Sequence, residues 1–159
     1  MPQPNENGRG GAFPRFEERQ TFTPWVYVLL ALLCAAMAAD LLARPGLAAR
    51  IVLGGFLLLF AFIANLFALT TVVTNNAVHV VFGWAFPMYR RVIALTDIAR
   101  AEPVTYSPLR EYGGWGIRGM GENAALNARG NRGVRLTLTD GRRVLIGSQR
   151  SRELADALS

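Results

Sequence analysis

The sequence predicts an α+β membrane protein: a two-helix transmembrane hairpin, then a small antiparallel β-sandwich or barrel closed by a short C-terminal helix. Three observations predict it. Two long apolar stretches, Trp25–Leu42 and Ile51–Val73, are separated by only eight residues. From Thr74 on, short β-branched runs alternate with turn residues. The last residues space Leu154 and Leu158 one helical turn apart. At 159 residues with 18% charged, the chain is less charged than the ~25% usual for soluble proteins. It has room for one domain and a small membrane element.

Residues 1–24 are rich in Pro, Gly and polar groups and hold no sustained period, which predicts a disordered tail. Phe13, Phe16 and Phe22, interleaved with Arg15 and Arg19, are expected to be solvated there. Residues 25–73 form the predicted hairpin. Its first helix, 25–42, spans about 27 Å at 1.5 Å per residue, enough for the hydrocarbon core. The second, 51–73, carries no charge at all. Pro45-Gly46 stops the first helix and turns the chain. Ala36-Met37-Ala38 has the form of a signal-peptide cleavage site. The leader before it is too long, however, and it holds Glu6, Glu17 and Glu18 where positive charge is needed. Cys34 follows the bulky Leu33 and does not suit lipid attachment.

Within the helices, Asp40 is expected to pair with Arg44 one turn later. Asn65 is placed at the depth of Tyr27, predicting an interhelical hydrogen bond to the Tyr27 hydroxyl. Ala31, Ala35 and Ala39 face Ala61, Ala64 and Ala68 as small-residue packing surfaces. Arg9, Arg15 and Arg19 outnumber Arg44 and Arg50 of the connecting loop, and Arg90 and Arg91 follow the second helix. The positive-inside rule then puts both termini in the cytoplasm. All 17 basic residues are Arg, the bias of a GC-rich bacterial genome, so the expected location is a bacterial inner membrane with two crossings.

Residues 74–159 form the predicted β domain. Asn75-Asn76 separates LTTVVT from AVHVVF as a tight hairpin using φ > 0. A strand RRVIAL follows, then an extended stretch to Tyr106, a turn-rich segment SPLREYGGWG, and short extended pieces at Trp115–Arg118 and Asn123–Asn127. Asp140-Gly141 predicts a two-residue hairpin pairing Leu138 with Arg143, Leu136 with Leu145 and Val134 with Gly147. Val134, Leu136, Leu138 and Leu145 then share a face. Ser148 or Ser151 is placed to cap the final helix. About seven strands result.

Seven strands and a closing helix resemble the pleckstrin-homology-like domain. The stretch YGGWGIR…NARGNRGVRLTLTDGRRVLIGSQRSREL, with WAFPMYRRVIALTDIARAE before it, resembles small bacterial membrane proteins that carry such a domain after two transmembrane helices. The resemblance implies a binding or assembly role. Phosphoinositide-gripping members place basic residues around the loop joining their first two strands. Here that loop, Thr74–Ala77, is short and uncharged, so inositol-phosphate binding is not carried over.

Gly114–Gly119 matches G-x-G-x-x-G literally, but no amphipathic helix follows it, so a bent or bulged strand is expected and no dinucleotide. His79 has no Cys, Asp or Glu at ligand spacing, and Ser107, Ser148 and Ser151 have no other base. One His and one Cys leave no catalytic constellation, metal site or cofactor site, and the chain is not read as an enzyme. The aromatic turn Trp84, Phe86 and Tyr89, with Arg90 and Arg91, is the expected membrane-surface contact. Arg118, Arg135, Arg142 and Arg143 are the expected contacts to an anion or partner. The function that follows is a membrane-anchored module engaging a protein partner, or a second copy of itself, at the bilayer surface. The alternative is a lipid-binding or lipid-sensing protein that meets anionic lipid through its basic and aromatic face. Nucleic acid is not an expected partner.

Overall fold

The computed structural model describes residues 14–22, 24–43, 46–65, 68–119 and 123–159. Its first element overturns part of the predicted tail. Phe16–Thr21 is a strand, β1, with Phe16, Glu18 and Gln20 buried and Glu17, Arg19 and Thr21 exposed. Strand alternation is intact, but two of the three inward side chains are polar, so hydrophobicity alone hides it. Phe16 is part of the core and Phe22 packs partly against it; Phe13 lies outside the described residues.

Two helices follow, α1 (Pro24–Ala43) and α2 (Leu47–Asn65). Among the described residues one helix, Leu47–Asn65, is long and apolar enough to cross a membrane, with a mean hydropathy of 2.4 over its most apolar 18 residues, none of them buried; the apolar stretch Tyr27–Ala43 is shorter. The two pack against each other, and their half-buried residues recur at 3–4 spacing: Leu30, Cys34, Met37, Ala38 and Leu41 on α1, and Ala49, Leu53, Phe56, Phe60 and Ala64 on α2. Of the helical alanines expected to pack, only Ala64 shares that pattern. Ala31, Ala35 and Ala39 are exposed, as is Ala61, and Ala68 is not helical. Arg44 lies outside the described residues.

The apolar run 51–73 does not stay helical to its end. After Asn65 the β-branched ALTTVV becomes strand β2 (Ala68–Val73), where Thr and Val are favoured. β3 (Ala77–Phe82) and β4 (Tyr89–Ala94) complete a four-stranded antiparallel sheet in the order β1-β2-β3-β4. The β2–β3 connection is the expected two-residue hairpin, yet neither Asn adopts positive φ. Instead Thr74 Oγ1 donates to Ala77 O at 3.0 Å and accepts from Ala77 N–H at 3.2 Å.

The second sheet contains β5 (Ile98–Thr105), β6 (Gly116–Arg118), β7 (Asn123–Asn127), β8 (Arg132–Leu138) and β9 (Arg143–Gly147), in the order β5-β8-β9-β7-β6. Nine strands therefore stand among the described residues; seven of them, β3–β9, follow Thr74, where about seven were expected, and β1 and β2 are additional. The nine form two separate sheets, and β9 pairs parallel to β7. The β8–β9 register is one residue away from the predicted one: Val134 faces Ile146, Leu136 faces Val144 and Arg135 faces Leu145. The loop has three residues, Thr139, Asp140 and Gly141, because Gly141 takes φ +85° and adds a bulge residue. That single extra residue puts Val144 and Ile146 in the core and moves Leu145 to the sheet's outer face.

SPLREYGG holds a short helix, α3 (Pro108–Tyr112), with Pro at its start and Gly113 ending it. The closing helix α4 (Ser151–Ala157) packs on β5, β8 and β1 and buries Leu154, Ala155 and Ala157. Neither candidate serine caps it with its side chain. β1 fastens the sheets together. Glu18 accepts the Ser148 hydroxyl at 2.5 Å and the Gln149 N–H at 3.0 Å. Gln20 Nε2 donates to Gly147 O at 2.8 Å, and the Arg150 guanidinium lies 4.9 Å from the Phe16 ring centre.

Candidate functional site

Two surfaces bring the expected contact residues together. The first is the junction where α2 meets the four-stranded sheet. Asn65, the last residue of α2, is 4% exposed. It does not use its carboxamide between the helices. Oδ1 accepts the backbone N–H of Trp84, Ala85 and Phe86 at 3.0, 2.7 and 3.3 Å, while Nδ2 donates to Phe86 O at 2.9 Å. The aromatic loop is thus clamped to the helix end. Gly83 permits the clamp: its φ is +134°, and a Cβ there would lie 2.0 Å from Phe86 O. Held this way, Trp84 is 68% and Phe86 51% exposed.

Between this loop and the helices runs an apolar groove of about 730 Å³, walled by Tyr27, Leu58, Ala61, Phe62, Trp84 and Phe86 among others. Tyr27 and Asn65 both line it, so the structure brings this pair together around a cavity. A shallower hollow of about 490 Å³ opens on the other side of the loop, with His79 and Arg90 in its wall.

The registers set a row across the outer face of this sheet: Arg19 faces Thr70, Thr70 faces Val81, and Val81 faces Arg90. An arginine therefore stands at each end. Arg19 Nη2 donates to Trp84 O at 3.3 Å, and Arg90 Nη2 lies 3.4 Å from His79 Nδ1. Arg91 does not join them. It faces Val80, which points into the core, so strand alternation places Arg90 and Arg91 on opposite faces. Tyr89 likewise faces Phe82, edge to face with centres 6.3 Å apart, and packs against the core. Of the expected membrane-surface set, Trp84, Phe86 and Arg90 share the surface. Arg19, which sequence reasoning left in the tail, belongs with them.

The second surface is the outer face of the five-stranded sheet. Arg118 faces Ala125, Ala125 faces Leu145, Leu145 faces Arg135, and Arg135 faces Glu102. Arg143 lies two residues from Leu145 and shares the face. Arg135 and Arg143 line a hollow of about 320 Å³ with Glu111, Tyr112, Asn123 and Leu145. Arg135 pairs with Glu111 at 3.5 Å. No carboxylate among the described residues pairs with Arg118 or Arg143. Arg142 is withdrawn from the set. Its backbone N–H, then its guanidinium, hydrogen-bond Asp140 and hold that carboxyl below its usual range.

Tyr106 stacks edge to face with Tyr112, the last residue of α3, with ring centres 5.9 Å apart. Burial pushes the Tyr106 phenol up to about 12. Asn127 is close enough to oppose that rise, although neither Tyr106 Oη nor Asn127 Nδ2 completes a hydrogen bond.

Gly114–Gly119 holds the three-residue strand β6 within it, which is not a phosphate-cradling turn at the start of a helix. No group of three or more His, Cys, Asp or Glu able to hold a metal stands among the described residues. No protein-family model and no curated protein matches the chain.

Proposed function

We propose that this chain is a membrane-anchored binding or assembly module: α1 and α2 cross the bilayer as a hairpin, and a pleckstrin-homology-like β domain lies at its surface and engages a protein partner. One observation carries the reading. β1 precedes α1, β2 follows α2, and the two are neighbours in one sheet, paired from Phe16↔Val73 to Thr21↔Ala68. Both helices therefore attach at the same end of the β1–β2 ladder, at Thr21 and Ala68. A chain that crosses on α2 must have crossed on α1, or β1 and β2 would be on opposite sides. The exposed apolar side chains of both helices, among them Leu29, Leu32, Leu42, Leu47, Ile51 and Leu58, support a lipid surrounding, since a soluble surface rarely holds so large an apolar patch. Positive-inside counting supports a β domain on the cytoplasmic side of a bacterial inner membrane.

The partner surface in this reading is the outer face of the five-stranded sheet, where Arg118 and Arg143, with no carboxylate partner among the described residues, share a face with Leu145, and Tyr112 lines the same hollow as Arg143. Arg and aromatic side chains are what buried interface centres favour, and the charge selects an acidic segment. The sheet edges suit a partner strand less well. β5 carries Pro103 and a bulge, and β6 is three residues long.

Topology is tested with single cysteines at Gly46 and Ser107 in a Cys34→Ala background, labelled with an impermeant maleimide in oriented vesicles. Opposite-side labelling is expected; same-side labelling overturns the hairpin. For the partner face, a photo-crosslinking residue at Asn123 should give one discrete protein adduct. That adduct should be lost in Arg118→Glu/Arg143→Glu and strengthened in Glu111→Gln, which frees Arg135. An adduct indifferent to all three changes overturns the assignment of this face.

A further inference from the structure

We infer that the groove between the helix ends and the Trp84–Phe86 loop is a lipid site that takes one acyl chain of an anionic phospholipid, with its phosphate at Arg19. The inference rests on the membrane reading above and adds a ligand to it.

The chemistry is layered in the order a phospholipid requires. Deepest are Leu58, Ala61 and Phe62 of α2 with Tyr27 of α1, which make an almost wholly apolar trough. Trp84 and Phe86 form its outer wall, held there by the Asn65 clamp. Trp and other aromatic side chains are favoured at the level where tails meet headgroups. About 7 Å farther along β1, two residues from Thr21, stands Arg19. Its guanidinium reaches the groove wall through the 3.3 Å bond to Trp84 O, which leaves most of its five N–H donors for a phosphate. Arg90 closes the same row across the sheet, about 14 Å away at three strand spacings. It bounds the hollow on the loop's other side. The groove's volume of about 730 Å³ falls within the roughly 300–1,000 Å³ of small-molecule sites. A second polypeptide is the weaker occupant, because the lining is almost wholly apolar and the Asn65 carboxamide, which could have met a peptide's own polar groups, is already occupied by the loop.

The test uses the full chain in nanodiscs, with Trp25→Phe and Trp115→Phe leaving Trp84 as the reporter. Brominated phosphatidylglycerol, a minor fraction in phosphatidylcholine, should quench Trp84 more strongly than brominated phosphatidylcholine at the same fraction, and inorganic phosphate should not relieve it. Ala61→Phe, which fills the trough, should abolish the preference. Arg19→Gln, a change at an exposed side chain, should weaken it about fivefold, the equivalent of the roughly 1 kcal/mol one arginine gains beside anionic lipid. Native mass spectrometry should find one phosphatidylglycerol per chain, absent from Ala61→Phe. Equal quenching by both lipids, quenching unchanged in Ala61→Phe, or a protein dimer broken by that substitution overturns the lipid site. Carbonate extraction separates the two levels. A chain washed off vesicles overturns the membrane reading together with the site, whereas a retained chain with equal quenching overturns the site alone.

Discussion

The Ser148 hydroxyl donates a 2.5 Å hydrogen bond to the Glu18 carboxylate, 130 positions earlier in the chain. Both side chains are buried, and the Gln149 N–H takes the second carboxylate oxygen. The bond joins the strand before the helices to the corner before the last helix. It makes Phe16–Thr21 a structural matter for the whole β domain.

Glu18→Ala should therefore destabilise the β domain by about 1–3 kcal/mol, since it strands a buried hydroxyl and a backbone N–H. Ser148→Ala should cost less, because the carboxylate keeps its backbone donor. Thermal unfolding of both variants in detergent, followed by near-UV circular dichroism, checks the order.

The clamp at the helix end gives a second expectation. Gly83→Ala combines a φ of +134° with a Cβ 2.0 Å from Phe86 O, and should cost at least about 1–3 kcal/mol of local strain. Asn65→Ala removes all four carboxamide bonds to the loop. Both should release the loop and shift Trp84 emission, with Trp25 and Trp115 replaced by Phe. Unchanged emission in Asn65→Ala would mean the loop is held by something else.

Tyr106 predicts a response to alkali. Its folded pKa is pushed up to about 12 by burial, above the ordinary value of 10.0. The folded state therefore disfavours tyrosinate, so the stability tied to this group is complete below pH 10 and is lost as pH rises from 10 toward 12. Tyr106→Phe should flatten that part of the profile. Its cost at neutral pH should be small, because the buried hydroxyl has no hydrogen-bond partner to lose. Urea melts of the two proteins at stepped pH decide it.

Thr21 and Ala68 face each other at the helix end of the β1–β2 ladder. Replacing residues 22–67 with Asn-Gly should therefore join them through an ordinary two-residue hairpin. The expected product is water-soluble and unfolds cooperatively, although its aromatic loop lacks Asn65. Starting the domain at residue 75 instead removes β1 and β2, leaving Ser148 without Glu18, and should give an aggregating chain.

The helical pair, the strand pattern after Thr74 and the final helix were legible because long apolar runs and β-branched alternation report burial directly. β1 was not, because its inward residues include Glu18 and Gln20, whose partners lie more than a hundred positions away. The end of α2 was misread for a related reason: Ala68–Val73 is as apolar as the helix before it, and only its β-branched residues hint at a strand. The β8–β9 register turned on one glycine. Asp-Gly signals a hairpin, but the neighbouring Thr139 and Arg142 do not reveal whether the loop takes two residues or three. At the sites, Arg118, Arg135 and Arg143 do converge on one face, whereas adjacency in sequence joined Arg90 to Arg91 and the pleat separates them.

In the proposed topology, synthesis order becomes part of assembly. β1 leaves the ribosome first but has no partner until both helices and β2 have followed, a wait on the order of seconds. During that wait its Glu18 and Gln20 stay hydrated, a state that polar inward side chains tolerate and an apolar strand would not. A chain threaded with the wrong number of crossings leaves β1 across the bilayer from β2, so the sheet never closes. Completion of the β fold thus works as a check on orientation, and misinserted copies carry an open strand edge by which quality control can find them.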